Sequence, residues 1–171
     1  MTTPPLVQEL KGLLPAPLVA EALETFKDML RARGADAEDD VDALVDALRT
    51  SNRAALGEVY DAMRETDVFR RIVTCEPLRQ AAQAMTGAAR LHSPFQHAVL
   101  RMDLAGEPWR GFDWHQDYPY NMLCDRSVTA WTPLTPSGVA NGGVDVVETA
   151  EARLYPVEVR LKRDAAGRPL G

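Results

Sequence analysis

The stretch Phe112-Asp113-Trp114-His115-Gln116-Asp117-Tyr118 carries the densest chemistry in the chain. In an extended segment, residues two apart project to the same face. His115 and Asp117 then point together, with Cα atoms roughly 6.6 Å apart at ~3.3 Å per residue. An imidazole nitrogen and a carboxylate oxygen so placed can converge on one cation. They are two of the three protein ligands of the facial triad that holds non-haem Fe(II) and leaves three positions open for cosubstrate and oxygen. A third ligand must come from elsewhere. The plain alternative is a hydrogen-bonded histidine in a loop, since a bare H-x-D run is a weak motif in a chain with three histidines. The other two, His92 and His97, flank a short apolar stretch and read as packed or exposed rather than ligating.

The elements that must position this pair divide into two kinds. Leu18, Ala22, Phe26 and Met29 or Leu30 recur every three to four residues, which predicts an amphipathic helix stopped by Gly34 after Arg31 and Arg33. Asp36 is the expected cap of a second helix, with Asp39 and Asp40 in its first turn and Val41, Leu44, Val45 and Leu48 on its apolar face. Ser51 is the expected cap of a third, running to about Glu65, with Leu56, Val59, Tyr60 and Met63 inward. Pro77 suits the first turn of a fourth, which reaches about Met85 and ends before Gly87. Near residue 90 the character changes. Phe95–Leu104, Val128–Leu134, Val144–Val147 and Leu154–Leu161 read as strands, with turns at Asn141-Gly142-Gly143 and Asp164–Gly167. Helices first and strands afterwards predict an α+β fold with the helices packed on one side of a sheet. The last expected strand leads into a turn with no return strand, so the chain reads as the front part of a larger β domain. The alternative is a small sheet whose edge is covered by a helix or a partner.

Composition narrows the function. The chain has 171 residues, 46% hydrophobic and 26% charged, as an ordinary globular domain does. Its net charge of −6 argues against general nucleic-acid binding. No apolar run approaches a membrane span, and Met1-Thr2-Thr3-Pro4-Pro5 does not open a secretory signal. Cys75 and Cys124 make no disulfide framework and read as reduced thiols, so a cytoplasmic location is expected. The acidic run from Asp36 to Asp46 reads as a solvated helix face.

Three runs then occur in order: Trp114-His115-Gln116-Asp117, Thr129-Ala130-Trp131-Thr132-Pro133-Leu134, and Asn141-Gly142-Gly143-Val144-Asp145-Val146-Val147. Together they resemble the phytanoyl-CoA dioxygenase family, a branch of the Fe(II)- and 2-oxoglutarate-dependent oxygenases. Tyr60-Asp61-Ala62-Met63-Arg64-Glu65-Thr66 is similar too, and the likeness spans roughly residues 55 to 147. The resemblance implies a double-stranded β-helix, or jelly roll, with helices packed on one sheet. Residues 1–90 would form the helical part and 91–171 a partial jelly roll lacking its distal strands. It implies His115 and Asp117 as the first two iron ligands, and Trp131 lining the 2-oxoglutarate site. Gln96, on the strand before the H-x-D loop, would reach the cosubstrate. The implied partners are a small organic substrate to be hydroxylated, 2-oxoglutarate and O₂, with self-association through an open sheet edge.

The sequence departs from the family twice. Glu148-Thr149-Ala150-Glu151 follows the Val146-Val147 strand where the family continues with proline, glycine, a small polar residue and histidine. No histidine follows His115, and Arg153, Arg160, Arg163 and Arg168 sit in no matching motif for the arginine that pairs the far carboxylate of 2-oxoglutarate. His97 or Glu148 would complete the ligand set only outside the family's geometry. Two protein ligands hold iron less tightly than three, and a dicarboxylate without its arginine loses a bidentate charge-assisted contact. The sequence as it stands is therefore predicted to bind iron weakly and to turn over poorly. The competing expectations are a remnant or binding module of the same fold without catalysis, and an interaction module made by the helical half alone.

Overall fold

Leu18, Ala22, Phe26 and Leu30 form one buried stripe along α1, Ala16–Ala32, in a computed structural model that describes residues 7–93, 95–104, 114–117, 127–138 and 141–147. The helix ends where Gly34 turns to φ 96°, and Ala35 N–H donates back to Leu30 O at 3.0 Å. A side chain at that φ is strained, which is why glycine follows the last turn. Four more helices follow: α2 Val41–Ser51, α3 Arg53–Met63, α4 Asp67–Thr74 and α5 Glu76–Thr86. α1 packs against α2, α3 and α4, and α5 joins at α4 with no buried residue of its own.

The helix boundaries correct the sequence expectations in four places. Asp36 is not the cap of α2; Asp40 is, its carboxylate accepting from Ala43 N–H at 2.9 Å. The cap is the residue whose backbone is extended directly before the first turn, and Asp40 alone meets that condition in the acidic run. Ser51 closes α2 instead of opening α3, its hydroxyl donating to Ala47 O at 2.8 Å. Asn52 serves both helices: its N–H donates to Leu48 O at 2.8 Å, and its side chain accepts from Ala55 N–H at 3.1 Å. α3 stops at Met63, two residues short of Glu65, because Thr66 starts a helix that the apolar spacing did not reveal. The Thr66 hydroxyl accepts from Phe69 N–H at 3.3 Å and donates to Met63 O at 2.7 Å, fixing the corner between α3 and α4. The last helix begins at Glu76 with Pro77 in its first turn and ends at Gly87, φ 66°, as expected.

Among the described residues the buried apolar side chains lie between Leu18 and Phe69, with Leu30, Leu44, Leu48, Leu56, Val59 and Met63 the largest that are fully enclosed. Each such side chain contributes roughly 1.5–3 kcal/mol by leaving water. Ion pairs such as Arg71–Glu21 at 2.6 Å, between α4 and α1, and Lys27–Asp39 at 3.0 Å are exposed and contribute about 0–1 kcal/mol each. Burial holds the bundle together, and the ion pairs bias how its loops lie.

The strand-rich half differs from expectation. Phe95–His97 is a 3-10 turn. From Ala98 to Leu104 burial then alternates with a period of two: Ala98, Leu100, Met102 and Leu104 are half-buried against the helical core, and Val99, Arg101 and Asp103 are exposed. That is the side-chain pattern of an extended chain with one face on the helices. Among the described residues no strand ladder forms, so the expected sheet is not seen there. Residues 127–138 and 141–147 carry one isolated antiparallel bridge, Gly138 to Gly142. The turn expected at Asn141-Gly142-Gly143 is present, with Gly142 at φ 88° and Gly138 N–H donating to Gly142 O at 2.8 Å. A ladder needs a neighbour at about 4.8 Å. The expected strand Leu154–Leu161 lies outside the described residues, as does the turn at Asp164–Gly167. No helix among the described residues is long and apolar enough to cross a membrane.

Candidate functional site

His115 and Asp117 come together. His115 Nε2 stands 3.2 Å from Asp117 Oδ1, with both side chains partly exposed. The spacing of two that predicted a shared face therefore brings a nitrogen and an oxygen donor to one point. Two donors that bind one ion at about 2.1 Å each, at right angles, stand about 3 Å apart. The observed separation suits adjacent ligands of one divalent cation. It equally suits a direct hydrogen bond donated by Nε2–H to the carboxylate. Trp114 beside them is exposed, at 72%, and Gln116 is half-buried.

The donor set is incomplete among the described residues, where no group of three His, Cys, Asp or Glu side chains is placed to hold a metal. His92 and His97, expected to be packed or exposed, are exposed. Glu148 and the four later arginines lie outside the described residues.

Gln96 is not on a strand. It is the middle residue of the 3-10 turn, where a strand start was expected, and its side chain lines a cavity of about 300 Å³ with Arg64, Glu65, Arg70 and Phe95. Trp131 is 45% exposed, so it is not a core aromatic among the described residues. An exposed indole suits a residue that meets a ligand, and it suits equally a surface completed by neighbouring chain.

The cavity beside Gln96 is the feature that sequence reasoning missed. Arg64 and Arg70 stand six residues apart, on either side of the Thr66 cap. A helix break between two arginines was the available signal, and it went unread because α4 itself was not anticipated.

Electrostatic tuning is clearest away from the His-Asp pair. Hydrogen bonds from Lys27 and then Arg31 hold the Asp39 carboxyl below the usual carboxylate range. Lys27 is raised in turn, chiefly by Glu24 and then by Asp39. These groups tie the loop before α2 to α1 and touch no part of the candidate site.

Comparison with known proteins supplies the family and does not address individual site residues. No curated protein and no solved structure gives a significant match. The family model for Phytanoyl-CoA dioxygenase (PhyH) matches residues 10–168, nearly the whole chain and well beyond the three motifs that carry the likeness. On that match, the chain belongs to the phytanoyl-CoA dioxygenase family.

Proposed function

We propose that this chain is an Fe(II)- and 2-oxoglutarate-dependent dioxygenase that hydroxylates a small organic substrate, with His115 and Asp117 as metal ligands. The observation that carries this reading is the 3.2 Å approach of His115 Nε2 to Asp117 Oδ1. Family membership supports the reaction class. The family's fold supports a jelly-roll core for residues 91–171, laid on the helical part formed by 1–90. Ala98–Leu104, half-buried on the helices at every second residue, fits the first strand of such a core.

The residues of the chain have separable tasks. His115 offers the Nε2 lone pair only when that nitrogen is unprotonated, and Asp117 offers a charged oxygen that favours a divalent ion. When bound, iron with 2-oxoglutarate and O₂ supplies the oxidising power for C–H hydroxylation. Trp131 is proposed to flank the cosubstrate. Gln96 is proposed to reach it from the helical side, although its side chain lines the arginine cavity.

The test is CO₂ release from labelled 2-oxoglutarate, with and without Fe(II), in parallel with anaerobic Fe(II) titration. Iron-dependent release that disappears in His115→Ala and Asp117→Ala supports the reading. Iron binding without release points to a binding module of the same fold. Release that survives both substitutions removes the ligand assignment.

A further inference from the structure

The corner between α3 and α4 holds two guanidinium groups and one carboxylate around the cavity of about 300 Å³. That volume lies at the small end of the range for organic ligands. Glu65 Oε2 accepts from Arg70 at 2.9 Å. The other oxygen of Glu65 stands 4.0 Å from Arg64 Nε, too far for a hydrogen bond. Among the described residues Arg64 makes no closer ion pair, so Glu65 compensates it only weakly where it lines the cavity. This local surplus of one positive charge sits in a chain of net charge −6. Phe95, 43% exposed, supplies an apolar wall, and Gln96 adds an amide that donates and accepts. The Thr66 cap fixes the backbone corner that carries both arginines, so the spacing of their Cα atoms is a property of the fold.

We propose that this cavity binds the anionic group of a small organic molecule, a carboxylate or a phosphate, between Arg64 and Arg70, with the apolar body against Phe95. Guanidinium forks match both groups in bidentate fashion. Glu65 occupies Arg70 in the free protein and acts as an internal competitor that the ligand displaces. Neither His115 nor Asp117 lines the cavity, so it is tested with the metal removed.

The experiment is calorimetric titration of the whole chain in EDTA with hexanoate, hexyl phosphate and inorganic phosphate. Saturable binding of hexanoate or hexyl phosphate is expected, and the tighter of the two assigns the anionic group. Arg64→Ala and Arg70→Ala should each weaken it about tenfold, the scale of one charge-assisted contact. Glu65→Gln should tighten it several-fold. Phe95→Ala should weaken hexyl phosphate and leave inorganic phosphate unchanged. Arg64→Gln and Arg70→Gln, which keep much of the side-chain stem, guard against loss of packing, and thermal melting of every variant confirms the fold. His115→Ala should bind the probes as the parent chain does, which separates this site from the metal reading. Absence of saturable binding overturns the proposal. So does binding indifferent to both arginine substitutions, or binding weakened by Glu65→Gln.

Discussion

The helical half and the residues around the three motifs are built on opposite terms. In α1 to α3, Leu30, Leu44, Leu48, Leu56, Val59 and Met63 are fully enclosed, below 2% exposure. In the later segments, Val144, Val146, Val147 and Trp131 are all at least 45% exposed. The first region stabilises itself with short-range helix contacts. The second has β-forming residues without a ladder among the described residues, and a β-branched side chain contributes through neighbours on a sheet, not alone. The proposed chemistry sits in the second region, and the buried core of the described residues sits in the first.

Substitutions can break or sharpen this contrast. The largest effect is expected in the bundle: Leu56→Ala, at a fully enclosed position, should cost about 2–5 kcal/mol by chemical denaturation followed by circular dichroism. A cost under 1 kcal/mol would mean that the helical half is not the stable part. Next comes the proposed metal pair. Asp117→Ala should weaken Fe(II) binding about 100-fold, read by quenching of tryptophan fluorescence, with little change in melting temperature. A large drop in melting temperature would instead make the pair a structural ion pair. Thr66→Ala removes the cap of α4 and should cost about 1 kcal/mol. Val146→Ala should cost under about 0.5 kcal/mol, as exposed positions do. A cost above 1 kcal/mol would show that this surface is covered in solution.

The smallest effect concerns pH. Asp39 is held below the ordinary carboxylate range, so its contribution is present above the unfolded-state value and is lost as pH falls through the folded one. Melting temperature should therefore dip on acidification below about pH 4, and Asp39→Asn should flatten that part of the profile. An unchanged profile would remove Asp39 from the stability of the loop before α2.

Much of this contrast was legible in the residues. The stripe Leu18, Ala22, Phe26, Leu30 needs only helical spacing to be read, and all four are buried. The His115–Asp117 convergence needed only the two-residue repeat of an extended chain. Capping was harder, because Asp36, Asp39 and Asp40 offer the same carboxylate and only backbone conformation selects Asp40. α4 was hidden because it is 8 residues long and holds Val68, Ile72 and Val73, whose branched side chains favour strands when read alone. Burial of Val68 and Phe69 against the bundle overrides that preference. Gln96 was placed on a strand because the apolar run around it has no feature that marks a 3-10 turn.

The alternation from Ala98 to Leu104 has a consequence for length variation. One residue inserted or deleted just before Ala98 would exchange the two sides of the segment. Arg101 and Asp103 would then face greasy helices while Leu100 and Met102 met water. Changes by two residues keep the parity, so this junction should accept even indels far more readily than odd ones.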